Sequence, residues 1–124
     1  MTQFNYYSPA ELRQLNKETI NTIESKVSNF QNGNTYKTTH YFPHGSSFVP
    51  DKLILEIINS GLTNITNSKY SFAKCPGCVM LIIPEFIFTE DNINSASIML
   101  SEIAKSCGCE YDHWDIEIYS PDMV

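Results

Sequence analysis

"EYDHWDIEIY", residues 110–119, packs four acids, a histidine, two tyrosines and the chain's single tryptophan into ten positions. Taken as a cluster it suggests a catalytic or metal-binding box. Taken as a β-strand it is two interleaved rows, because successive side chains point to opposite faces. The even row is Asp112, Trp114, Ile116 and Ile118; the odd row is Tyr111, His113, Asp115, Glu117 and Tyr119. A tryptophan and two isoleucines belong against a core, so the odd row belongs on an open sheet face. Asp112 and Asp115 then point apart and cannot work as a paired acid and base.

Working outward, the strand is preceded by a helix in "TEDNINSASIMLSEIAKSCG", residues 89–108. Thr89 is its cap, Glu90 and Asp91 complement the positive helix end, and Gly108 stops it. Before that, "CVMLII" (78–83) reads as an apolar strand, and Pro84 should end or bulge its pairing because it has no N–H to give. "LTNIT" (62–66) reads as a short strand, joined to the apolar strand by a polar connection, "NSKYSFAKCPG" (67–77). A helix starting at Pro50 and Asp51 buries Leu53, Ile54, Ile57 and Ile58 and stops at Gly61. "TYKTTHYF" (35–42) is the first strand, rich in aromatic and β-branched residues, with His40 as a partly exposed sheet residue.

The N-terminal segment carries its own helix over 8–33. Ser8, Pro9 and Glu11 form a capping box with proline at the first helical position. Leu12, Leu15, Ile20, Ile23, Val27 and Phe30 supply the apolar stripe, and Gly33 supplies the stop. The order is a helix followed by β-α-β-β-α-β. This predicts an α+β, ferredoxin-like sandwich: a four-stranded antiparallel sheet in the order 4-1-3-2, two helices on one face, and an extra N-terminal helix. The expected organisation is a single domain, 1–124, with its core over 35–119.

Composition narrows the function classes. A chain of 124 residues suffices for one core without staples. Its net charge of −6 and pI near 4.9 repel phosphate backbones and favour a basic protein partner over direct nucleic-acid binding. "MTQFNYYSP" lacks the cationic and apolar regions of a signal peptide, and the apolar run Val79 to Ile83 is too short to span a bilayer. A cytoplasmic protein with reduced thiols is the expectation.

Four cysteines offer a second chemistry. Cys75 and Cys78 stand at zinc-knuckle spacing, and Cys107 and Cys109 follow after a gap of 28 residues. In the expected topology all four precede strands that begin at one end of the sheet, near His44. The two strand starts are separated by the first strand, about 10 Å at two ladder spacings, so one loop must cross for zinc to be held. The expected reading is four separate thiols with no cofactor, zinc being the alternative: Cys107 completing a buried helix stripe, Cys109 opening a strand, and Cys75 and Cys78 flanking a Pro-Gly turn. A thioredoxin-type role lacks the helix N-terminus that would activate a thiol. No phosphate loop, nucleophile elbow or HExxH pattern is present.

In layout, and above all in "AKSCGCEYDHWDI" (104–116), the chain resembles the regulator of ribonuclease activity B (RraB-like) family. Tyr111, Asp112 and Trp114 match that family's Tyr-Asp-x-Trp signature at the start of its final strand. The resemblance implies the same fold and a non-enzymatic, cytoplasmic inhibitor of a ribonuclease; the family's namesake restrains RNase E by protein contact. The chain ends at "SPDMV" where the namesake carries a run of acids, and its Cys-Pro-Gly-Cys lies outside the pattern. An immunity protein that neutralises a basic nuclease toxin would need the same surface chemistry. Tyr111, His113, Asp115, Glu117 and Tyr119 are therefore the expected partner-binding residues, with no catalytic set. Cys75, Cys78, Cys107 and Cys109 are the alternative zinc ligands.

Overall fold

The computed structural model describes residues 7–28, 30–31, 33–62 and 69–118. Helix α1 spans Pro9–Lys26, strand β1 Thr35–Pro43, helix α2 Pro50–Asn59, strand β2 Ser71–Cys75, strand β3 Cys78–Ile87, helix α3 Glu90–Cys107 and strand β4 Trp114–Glu117. The sheet is antiparallel in the order β2-β3-β1-β4, and the fold is the expected ferredoxin-like α+β arrangement behind an N-terminal helix.

Local chemistry starts and stops most elements as the sequence predicts. Ser8 Oγ accepts from the Glu11 N–H while Glu11 Oε1 accepts from the Ser8 N–H, closing the capping box of α1. Thr89 Oγ1 accepts from the Asn92 N–H at the start of α3, and Gly108 ends that helix with φ of +85°. Pro84 bulges β3: Tyr36 pairs with Phe86 and Thr38 with Ile83, so Pro84 and Glu85 together oppose Lys37.

The second strand is not where the polar pattern suggests. Of "LTNIT", residues 63–66 lie outside the described residues, and Leu62 is fully buried beside α2. The stretch expected as a polar connection contains β2, which pairs with β3 through a two-residue Pro76-Gly77 turn. An edge strand needs only one apolar face and tolerates lysine and serine elsewhere, so its sequence imitates a loop. Phe72 alone carries its inward side, half-buried against the core.

The first helix is shorter than the expected 8–33. It ends at Lys26 because Phe30 leaves the helical path to stack on Tyr36, 5.4 Å between rings, and to meet Phe88 edge-on at 5.6 Å. Gly33 is left-handed, φ +94°, but serves the turn into β1, where its N–H donates to the Phe88 carbonyl. Leu15 and Ile58, expected inside, are exposed.

The core lies between the sheet and the helices. Phe42, Leu81, Ile83, Phe86, Phe88, Leu53, Ile57, Ile93 and Leu100 are completely buried. Helix α1 packs beside α3 through one polar knot: Asn16 Nδ2 donates to Asn94 Oδ1 and Ser97 Oγ, each at 2.9 Å, and Asn16 Oδ1 accepts from Trp114 Nε1 at 2.8 Å. A buried side-chain amide holds its place only when its donors and acceptor are used, and this one uses all of them. Among the described residues no helix is long and apolar enough to cross a membrane.

Candidate functional site

The last strand brings most of its odd row to the open face, with one exception that has a clear cause. Trp114 pairs with His40, Asp115 with Thr39, Ile116 with Thr38 and Glu117 with Lys37. Before Trp114 the ladder slips. The Tyr41 N–H donates to the His113 carbonyl, but the Tyr41 carbonyl accepts from the Asp112 N–H, and the Pro43 carbonyl then accepts from Glu110. Two residues, Asp112 and His113, thus face one, Tyr41, which is a β-bulge.

A bulge shifts the period of two by one residue, and every side chain before it changes face. Tyr111, expected outward, is 2% exposed and packs against Phe42 at 5.4 Å between rings. Asp112, expected inward, is exposed beside His113, whose Nδ1 lies 3.1 Å from its carboxylate. Cys109 is fully buried for the same reason. Tyr111 therefore leaves the candidate site, and Tyr119 lies outside the described residues.

The inward tyrosine meets a buried histidine. His40, expected half exposed, is completely buried, with Nδ1 2.8 Å from the Tyr111 hydroxyl. Burial pushes its pKa down to about 3, so the imidazole is neutral, and burial likewise raises the Tyr111 phenol well above its usual range. His40 Nε2 and Thr38 Oγ1 are buried without a partner among the described residues. This pair is sealed from solvent and serves packing.

The open face is built from rungs across the sheet, half-exposed in the middle and exposed at Ser71 and Asp115. Ala73, Met80 and Tyr41 form one; Ser71, Ile82, Thr39 and Asp115 form the next. At its β4 side, the Tyr41 hydroxyl donates to Asp115 Oδ2 at 2.5 Å, and the His113 ring lies 5.6 Å from the Tyr41 ring. That hydrogen bond, followed by partial burial and the charges of Asp115, Cys78 and Glu117, lifts the Tyr41 pKa to about 12. Lys37 Nζ lies 3.6 Å from Glu117 Oε1 at the far end. Asp115, Glu117 and His113 therefore share one face as expected.

Tyr41 is the residue the sequence pattern missed. Nothing along β1 alone marks it; only the pairing of β1 with β4 places its hydroxyl beside Asp115. A concavity of about 310 Å³ opens where α1 meets the bulge, walled by Leu12, Leu15 and Trp114 with Asp112 and His113 beside it.

The cysteines fall into two pairs. Cys75 and Cys78 face each other across the tip of the β2–β3 hairpin, whereas Cys109 is buried in the core, where burial and then the neighbouring Cys107 raise its pKa to about 12. Among the described residues, no group of three or more His, Cys, Asp or Glu side chains is arranged to hold a metal ion. Comparison with known protein families, with curated proteins and with solved structures finds no match to this chain.

Proposed function

We propose that this chain is a non-enzymatic, acidic binding protein that docks a basic protein on its open sheet face and restrains it. The observation that carries the reading is the Tyr41–Asp115 hydrogen bond. It holds an aromatic ring on the strand beside Met80, with Asp115 and Glu117 on the neighbouring strand. Tyrosines held by packing and hydrogen bonds lose little rotamer freedom on binding and supply contact area, while carboxylates at the rim select and steer a cationic partner. The net charge of −6 acts in the same direction.

A ribonuclease is the most concrete occupant. Nucleases that grip RNA present cationic surfaces, and the resemblance to RraB-like inhibitors points to the same class. Tyr111 and Trp114, which carry that resemblance, act in this reading as core residues that set the last strand, not as contacts. A pull-down from the native cytoplasm at low and high salt, with the captured protein then assayed for RNA cleavage, tests the proposal. Recovery of a basic nuclease that salt releases supports it. A captured nuclease that salt leaves in place contradicts the electrostatic part.

A further inference from the structure

The tip of the β2–β3 hairpin is built from a turn that hairpins usually avoid. Two-residue hairpins favour the primed turns, whose twist matches the strands and which need a positive φ at the first central residue. Pro76 cannot supply it, because its ring holds φ near −65°. With Gly77 at φ +78° and proline before it, the pair has the φ signs of a type II turn. Such a turn splays the strands it joins unless something else holds them together.

Two features hold them here. The His44 N–H donates to the Gly77 carbonyl at 2.9 Å, tying the turn to the end of β1. Cys75 and Cys78, the outer residues of the turn, are direct partners in the antiparallel register. The Cα atoms that end a β-turn lie within about 7 Å, and directly opposed residues at about 4.5–5.5 Å, inside the range a disulfide spans. Cys75 is exposed and Cys78 partly so, and the two thiols are close enough to influence each other's charge.

We propose that Cys75 and Cys78 form a reversible dithiol–disulfide site whose co-reactant is a low-molecular-weight disulfide of the glutathione class. The exposed Cys75 thiolate attacks one sulfur of the oxidant, forming a mixed disulfide and releasing one glutathione thiolate. Cys78, as thiolate, then attacks the Cys75 sulfur and displaces the second. Two electrons pass from the protein to the oxidant, and the two thiol protons end on the two glutathiones. Burial raises the Cys78 pKa and so lowers its thiolate fraction, which makes the site a slow responder to its surroundings and not an oxidoreductase centre. The proposal stands whether or not the sheet face binds a nuclease.

The test uses the whole chain equilibrated with oxidised and reduced glutathione at a series of ratios, quenched by alkylation and read by intact and peptide mass. The expected product has lost two hydrogens and two alkylatable thiols, with the bond mapped between Cys75 and Cys78 and reversed by a dithiol reductant. Cys75→Ser and Cys78→Ser should each stop at a glutathione adduct on the remaining thiol, while Cys107→Ser should close normally. Circular dichroism and the emission of Trp114 confirm that each variant is folded. A stable glutathione adduct on Cys75 with Cys78 still free overturns the proposal. So does a bond to Cys107, or full alkylation of both thiols at the most oxidising ratio.

Discussion

The Tyr111 hydroxyl sits 2.8 Å from His40 Nδ1 in the core, and it is there because the bulge at Asp112 and His113 turns Tyr111 away from the open face. One backbone irregularity thus takes an aromatic residue out of the candidate binding surface and gives it to the interior. The predictions below follow from that division of labour.

Tyr111→Phe keeps the ring and removes the hydroxyl, leaving His40 Nδ1 unpaired in a dry site. Loss of a partner from a buried polar group costs about 1–3 kcal/mol. Urea unfolding should show that loss, while binding of any partner to the open face stays unchanged. A drop in affinity without a drop in stability would return Tyr111 to the surface.

His40 makes stability depend on pH in a definite direction. Its folded pKa, about 3, lies below the ordinary value near 6.5, so between them the unfolded chain binds a proton that the folded chain refuses. The stabilisation is complete above about pH 6.5 and is lost as pH falls toward 3, with a slope of up to about 1.4 kcal/mol per pH unit. Stability measured across that window should fall with acid, and His40→Gln should flatten the fall.

Asn16→Ala should loosen α1 more than any exposed substitution on it. It leaves Trp114 Nε1 without its acceptor, while Ser97 Oγ keeps its bond to the Ile93 carbonyl, and should cost about 1–3 kcal/mol, an order of magnitude set by an unpaired buried donor. Trp114 is the single tryptophan, so its emission reports the site directly. A red shift with faster amide exchange along α1 is the expected result.

Asp115→Asn should bring the Tyr41 phenol down from about 12 toward its usual range, since the hydrogen bond to that carboxylate is the largest cause of the shift. Ultraviolet titration at alkaline pH, compared with Tyr41→Phe to assign the transition, reads this without a partner in hand.

The order of elements, the capping of α1 and α3 and the bulge at Pro84 were legible because each rests on local chemistry: a cap, a proline, a left-handed glycine, an apolar run; the strand order followed from the fold that this element order implies. What was hidden depends on partners distant in sequence. The strand β2 is polar enough to pass for a loop until β3 lies beside it. Asn16 breaks the apolar stripe of α1, and only Trp114, far along the chain, explains why a buried amide belongs there. The bulge has no sequence mark of its own, so the alternation that correctly placed Trp114, Asp115 and Glu117 misplaced Tyr111 and Asp112 by one residue. His113, Asp115 and Glu117 were legible as a face, but not the tyrosine that organises it.

The central claim is that the open face is the docking surface, and the most direct measurement is inhibition of the captured ribonuclease by the native chain and by Asp115→Lys/Glu117→Lys. Both sites are exposed, so the double variant should keep its fold, checked by the emission of Trp114. The account predicts that the native chain suppresses RNA cleavage and that the double reversal weakens suppression at least tenfold at low salt, with the gap narrowing as salt is raised. Equal inhibition by both proteins at every salt concentration would contradict it and move the docking site elsewhere, with the exposed Leu55 and Ile58 side of α2 next in line.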